Sequence, residues 1–220
     1  MLKTVNILLI ISLISDISIL AGCAKVDGNG VPAKETKNLR NFSSIYFKGG
    51  GYKVYVHVTD NSKNYITISG DQNIIPIIKT EVNNNVLKIS YKKSINTNLP
   101  LVLNIYTNAL NTLDLYGTGN IKIDGINSKS FTLSVKGAWD INLYGNTNIL
   151  SAVSKGLSKI NTKEVKAANV NIEIDGAGKA EVYVENNLHA MVKGIGEITY
   201  YGNPKIVNPT ISGLGKISKK

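Results

Sequence analysis

The residues that first suggest chemistry are glycines. GTGNI at 117–121 has the shape of half a nucleotide-binding loop. It returns as GAWDI at 137–141, GLSKI at 156–160, GAGKA at 176–180, GIGEI at 194–198 and GLGKI at 213–217. A dinucleotide loop needs a third glycine and a helix behind it, and GAGKAEVYV runs straight into a strand pattern. A P-loop needs Ser or Thr after its lysine, which GLGKI and GAGKA lack. Calcium-binding β-rolls repeat every nine residues with Asp at the turn. Here the position three after the leading glycine reads Asn120, Asp140, Lys159, Lys179, Glu197 and Lys216. The two histidines, His57 and His189, lie far apart, with no cysteine or second histidine at ligand spacing. No G-x-S-x-G nucleophile motif occurs. The sequence therefore leads us to expect no catalytic residue, no metal and no cofactor.

Cys23 is the other reactive group. Lys3, the apolar run 5–20 interrupted by Asp16, and the closing LAGC at 20–23 have the layout of a secretory signal. LAGC resembles the bacterial lipobox, in which cleavage precedes the cysteine and its thiol is lipidated. Cys23 is the sole cysteine, so no intrachain disulfide can form, and lipidation accounts for a lone thiol in an exported protein. Residues 1–22 are read as a lipoprotein signal peptide. Residues 23–41, with Gly28, Gly30 and Pro32, are read as the lipidated cysteine and a flexible tether. The folded domain is expected over 42–220.

The elements that hold the glycines follow from their spacing. The leading residues are Gly117, Gly137, Gly156, Gly176, Gly194 and Gly213. Steps of 18–20 residues are a repeat signature. Two before each glycine stand Leu115, Val135, Ser154, Ile174, Val192 and Ile211; four after it stand Ile121, Ile141, Ile160, Ala180, Ile198 and Ile217. Polar residues alternate between these columns, which is strand grammar on both sides of a turn. A unit this short cannot bury its apolar side alone, but stacked copies can. The expectation is an all-β chain: a parallel β-helix or β-solenoid of roughly 19-residue coils from about residue 113, preceded by a β-rich lead-in. Each of the six glycines would turn a structural corner, where positive φ and close backbone approach are needed. Asp140 would lie beside Lys159, and Glu197 between Lys179 and Lys216. The segment 73–82, NIIPIIKTEV, fits a short helix or a buried strand, with Pro76 forbidding a long helix.

These repeats, the lead-in FSSIYFKGGGYKVYVHV and the segment from Gly194 to Pro204 resemble the putative auto-transporter adhesin, head GIN domain family. The resemblance covers roughly 42–217. It implies an exported or lipid-anchored bacterial protein with a β-helix-like fold and carries over no catalytic residues. Trp139 and Ser158 depart from it, replacing the second glycine of their corners.

With a net charge of +10 spread in ones and twos and no arginine cluster, the surface reads as solvated and basic, and no nucleic-acid partner is expected. The expected function is non-catalytic: adhesion, or binding of an envelope glycan or protein, at the bacterial cell envelope and on the outer membrane, with the membrane reached through Cys23. Trp139, Tyr116 and Tyr144 are the candidate ligand-binding residues, taken as exposed aromatics in turns. The alternatives are a polysaccharide-active β-helix enzyme and a purely structural envelope component. Cys23→Ser is expected to abolish partition into the detergent phase; full partition by the variant would exclude lipidation at that residue.

Overall fold

β-Branched residues alternating with polar ones, punctuated by Gly and Asn, favour strands over helices along nearly the whole chain. The computed structural model describes residues 25–59, 63–91 and 93–220; Cys23 and the expected signal lie outside them. It is all-β. The elements are β1 (Val26–Asp27), β2 (Pro32–Leu39), β3 (Ser44–Val58) and β4 (Asn64–Asp71), then a turn of 3-10 helix (Ile75–Ile77). β5 (Lys79–Asn83), β6 (Val86–Ser90), β7 (Ile95–Asn96) and β8 (Leu101–Thr107) follow. The extended run β9 (Thr112–Gly176) leads into β10 (Lys179–Tyr183), β11 (Asn187–Gly194), β12 (Glu197–Tyr201), β13 (Ile206–Gly213) and β14 (Lys216–Lys219). The 73–82 segment thus divides at Ile78 into a helical turn that contains Pro76 and the start of β5.

The repeats stack in parallel, one repeat length per step. Ala180 of β10 pairs with Ile160 of β9 on one side and Ile198 of β12 on the other. Ile198 in turn pairs with Ile217 of β14. β11 lies parallel between β9 and β13, placing Val192 beside Ile174 and Ile211. Ile121, Ile141, Ile160, Ala180 and Ile198 are buried, and so are Leu115, Val135, Ser154, Ile174 and Val192. In the last unit the same columns open to solvent: Ile211 is exposed and Ile217 half-buried, with no further unit against them among the described residues.

A wholly parallel architecture is corrected by the lead-in. β2 pairs antiparallel with β4, β4 with β8, and β5 with β6, so the large sheet is mixed. Its strand path runs β14-β12-β10-β9-β3-β8-β4-β2. Residues 23–41 are likewise not a free tether throughout. β2 lies along β4 from Pro32 beside Asp71 to Leu39 beside Asn64, and β1 pairs with β7. The reason it reads as a tether is composition: PAKETKNL is an edge strand whose outward positions are Pro32, Lys34, Thr36 and Asn38, and proline and charge are usual defences of an edge.

Backbone contact between repeats accounts for the glycines. Gly176 has φ +140°, and a Cβ there would sit 2.7 Å from the Gly156 carbonyl oxygen. That oxygen accepts a hydrogen bond from the Ala177 N–H at 3.1 Å. Gly194 repeats the arrangement on Gly176, with the Ile195 N–H as donor, and Gly213 makes the same close approach to the Gly194 carbonyl oxygen. Earlier in the stack Gly137, with φ +127°, faces the Gly117 carbonyl oxygen, and Gly156 faces that of Gly137. One detail differs from the expected turn between two strands. Gly117, Gly137 and Gly156 lie inside the unbroken run of β9, so there the chain bends at the glycine without leaving extended structure. Gly117 itself lies against a seventh corner, Gly49 in β3. Gly49 pairs with Gly117, and an extra residue at Gly50–Gly51 forms a bulge before pairing resumes at Tyr52 and Gly119.

At the other end a buried carboxylate pins the N-terminal segment. Asp71 Oδ1 accepts the Gly30 N–H at 2.7 Å, and Oδ2 accepts the Asn98 and Leu99 N–H groups, each at 3.0 Å. Burial pushes the Asp71 pKa upward, but these backbone donors, with its own N–H, outweigh that and hold it below the usual value.

Two outcomes follow. Gly176→Val should lower stability by about 1–3 kcal/mol, the scale of a forced backbone outlier, and an unchanged thermal midpoint would contradict the corner geometry. Because the folded pKa of Asp71 lies below its unfolded value, its contribution is present above the ordinary carboxyl range and fades as pH falls through the folded pKa. Asp71→Asn keeps one acceptor oxygen where two are used. Its thermal midpoint should lie below wild type at neutral pH, and the gap should close on acidification; a pH-independent gap would assign the loss to something other than ionisation.

Candidate functional site

After each corner glycine the chain alternates: residues four and six on face the core, and residues three, five and seven on face outward. The outward rows of successive strands build one broad sheet face. In its first row Tyr65 of β4 pairs with Tyr106 of β8, their rings stacked at 4.4 Å, and His57 of β3 stacks on Tyr106 at 4.6 Å. Asp124 of β9 is next in register to His57. The neighbouring row runs Thr67, Asn104, Tyr55, Lys122. Lys122 Nζ lies 4.9 Å over the Tyr144 ring and 3.2 Å from the Asp124 carboxylate.

Farther along, the Asn161 amide donates to Asn142 Oδ1 at 3.2 Å, Tyr183 of β10 pairs with Tyr201 of β12, and the Tyr201 hydroxyl donates to Glu181 at 3.4 Å. Six tyrosines, 55, 65, 106, 144, 183 and 201, thus share a face with Asn and Lys side chains. Two shallow depressions mark it. One of about 260 Å³ is lined by residues including Tyr55, Asn120, Lys122 and Asn142. The other, about 350 Å³, has Asn161, Lys179, Glu181 and Thr199 in its wall. Partial burial, and after it the adjacent Tyr106 hydroxyl, push the Tyr65 pKa up.

The three expected binding aromatics are not brought together. Tyr144 belongs to this face. Tyr116 precedes its corner glycine and lies on the other side of the corner, where its ring meets Tyr46 at 5.1 Å and Lys136 Nζ lies 5.1 Å above it. Trp139 is corrected outright: it is 2 % exposed rather than a surface aromatic. The second position after a corner glycine points inward, and Trp139, two residues beyond Gly137, fills the space that Gly119 leaves in the unit before. A Cβ on Gly119 would fall 2.6 Å from the indole ring. Phe47 packs against the indole at 6.0 Å. Ser158, the other departure, is also buried and hydrogen-bonds Ser154. Of the expected charge pairs, Lys179 meets Glu197 at 3.3 Å, while Asp140 accepts from Asn142. His189 is exposed.

Five of these contributors, Tyr55, Tyr65, Tyr106, His57 and Tyr183, do not stand out in the sequence as site residues, whereas Tyr201, in a turn similar to that of Tyr144, does. For Tyr183 a signal exists: like Tyr144 and Tyr201, it stands seven residues after a corner glycine.

The electrostatics give little basis for acid–base work. Asp124, Glu181 and Glu197 each stand within 4 Å of a lysine, at 3.2, 3.7 and 3.3 Å. Asp114, beyond the corner, has its pKa raised by burial, with Lys136 pulling it back. Among the described residues no cluster of three or more His, Cys, Asp and Glu side chains could hold a metal ion. Nor does any helix there have the length and apolarity to cross a membrane.

Residues 41–204 match the family model described as putative auto-transporter adhesin, head GIN domain. Among solved structures, a putative adhesin from Bacteroides fragilis NCTC 9343 superposes with a TM-score of 0.75 at 21% identity, over 89% of this chain and 100% of that one. A putative adhesin from Parabacteroides distasonis ATCC 8503 gives a TM-score of 0.51 at 20% identity, over 90% and 100%. At these identities the likeness is one of fold. No curated protein matches the chain.

Proposed function

Because the chain belongs to the putative auto-transporter adhesin, head GIN domain family, we propose that it is a non-catalytic binding protein of the bacterial envelope, exported and held to the membrane by a lipid on Cys23. The repeats are read as coils of a parallel β-solenoid, on the strength of the stacked corners and one-repeat registers. Its ligand is an extended envelope glycan or protein segment laid across the tyrosine face. The observation that carries this reading is the face itself: six tyrosines, a histidine and a row of Asn and Lys on a sheet whose strands are fixed by pairing on both sides. Rigid tyrosines give amphipathic contact area at small entropic cost, and Asn and Lys supply hydrogen bonds around them. A polysaccharide-cleaving reading would need two carboxylates facing each other across a groove, one held protonated; on this face Asp124, Glu181 and Glu197 lie beside lysines and Asp140 accepts from Asn142 instead.

The test is a glycan array and envelope-extract binding with the chain from residue 24 onward, which carries every strand described above. A defined ligand should be found, and Tyr144→Ala with Tyr183→Ala should weaken it about tenfold or more, the loss typical of a hot-spot side chain. Affinity unchanged in a normally folded variant would overturn the assignment of this face.

A further inference from the structure

A different surface carries a different partner. The residue directly after each corner glycine points away from the core. In the first two repeats it is Thr118 and Ala138; in the last four it is Leu157, Ala177, Ile195 and Leu214. Leu157 is 64% exposed, Ile195 67% and Leu214 83%. Scattered exposed leucines mean nothing, but these sit on successive stacked corners, about 4.8 Å apart per step, as one straight ridge. Ala177, small between Leu157 and Ile195, leaves a notch of about 540 Å³ floored by Gly178 and Gly196.

The ridge is flanked by lysines on both sides, with the surplus of positive charge on the side after the glycines. The residues just before the glycines are Lys155, Asp175, Lys193 and Ser212; those three after are Lys159, Lys179, Glu197 and Lys216. Five lysines thus face two carboxylates. Asp175 lies 3.9 Å from Lys155, Glu197 lies 3.3 Å from Lys179, and Lys193 reaches Glu173 on its own sheet at 2.8 Å. Among the described residues Lys159 and Lys216 make no ion pair.

We propose that this corner ridge docks on a lipid bilayer bearing anionic headgroups. Its aliphatic tips would enter the interface while the flanking lysines, on flexible stems, meet the phosphates. A second copy of the chain fits less well: ridge against ridge touches only along a line and sets lysine rim against lysine rim. The proposal does not depend on what the tyrosine face binds, nor on Cys23.

The experiment is vesicle co-sedimentation with the chain from residue 24 onward, which lacks both signal and cysteine. Vesicles of phosphatidylethanolamine with phosphatidylglycerol should retain it, and phosphatidylcholine vesicles should retain it at least about tenfold less. Leu157→Ser, Ile195→Ser and Leu214→Ser combined should weaken binding about tenfold or more, without moving the thermal midpoint, since all three side chains are exposed. Lys159→Gln with Lys216→Gln should weaken it and flatten its salt dependence. Three results would each overturn the proposal: equal binding to both vesicle types, a triple variant that binds as wild type, or an apolar ridge that instead drives a concentration-dependent dimer lost in the triple variant.

Discussion

A carbonyl oxygen stands where the side chain of each repeated corner residue would begin. The Gly156 oxygen does so at Gly176, the Gly176 oxygen at Gly194, the Gly117 oxygen at Gly137 and the Gly49 oxygen at Gly117. The same oxygen at Gly156 and at Gly176 accepts a hydrogen bond from the next repeat's chain, so close approach and pairing are one event. Once the corner is fixed, every other position inherits its direction. The residue after it points out and the next points in; beyond them alternation delivers the buried columns on one side and the tyrosine rows on the other. The core, the tyrosine face and the aliphatic ridge are three readings of one register.

That dependence explains how much could be read in advance. Glycine spacing, the inward columns and the family all follow from positions counted off a visible marker. Gly49 does not, because β4 to β8 intervene between it and Gly117 before the stack resumes. The antiparallel lead-in strands also lack a marker. β2 carries Lys34, Glu35 and Lys37 in a polar run, and only its pairing with β4 makes it a strand. Trp139 falls on the wrong side of the corner in a sequence reading, by a single step of the alternation. Its indole nitrogen and the Tyr52 hydroxyl are buried with no hydrogen-bond partner among the described residues, a cost set against the packing of both rings on Phe47.

Two chemically distinct surfaces emerge, one on the corner itself and one on the sheet face that follows it. The tyrosine face is broad, polar and aromatic, suited to a ligand recognised by ring contact and hydrogen bonds. The ridge is thin, aliphatic and edged with lysine. Both follow the stacking direction, so both are extended rather than pocket-like, and a ligand on either would meet several repeats at once. Five lysines of the last four repeats, Lys155, Lys159, Lys179, Lys193 and Lys216, border the ridge, while the rest of the charge behind the net +10 is spread along the chain.

The repeats differ in length by up to two residues, from 18 to 20, while their corners stay in register. The slack is absorbed between the outward rows and the next corner, far from the glycine contacts. Each repeat therefore meets its neighbours through an interface that is nearly interchangeable along the stack. Gene duplication or loss of a whole repeat would leave two compatible surfaces to rejoin, whereas loss of a few residues within a column would not. The molecule's length is in that sense an evolutionary variable: each added copy would extend its faces by one strand spacing, about 4.8 Å, without asking for a new core.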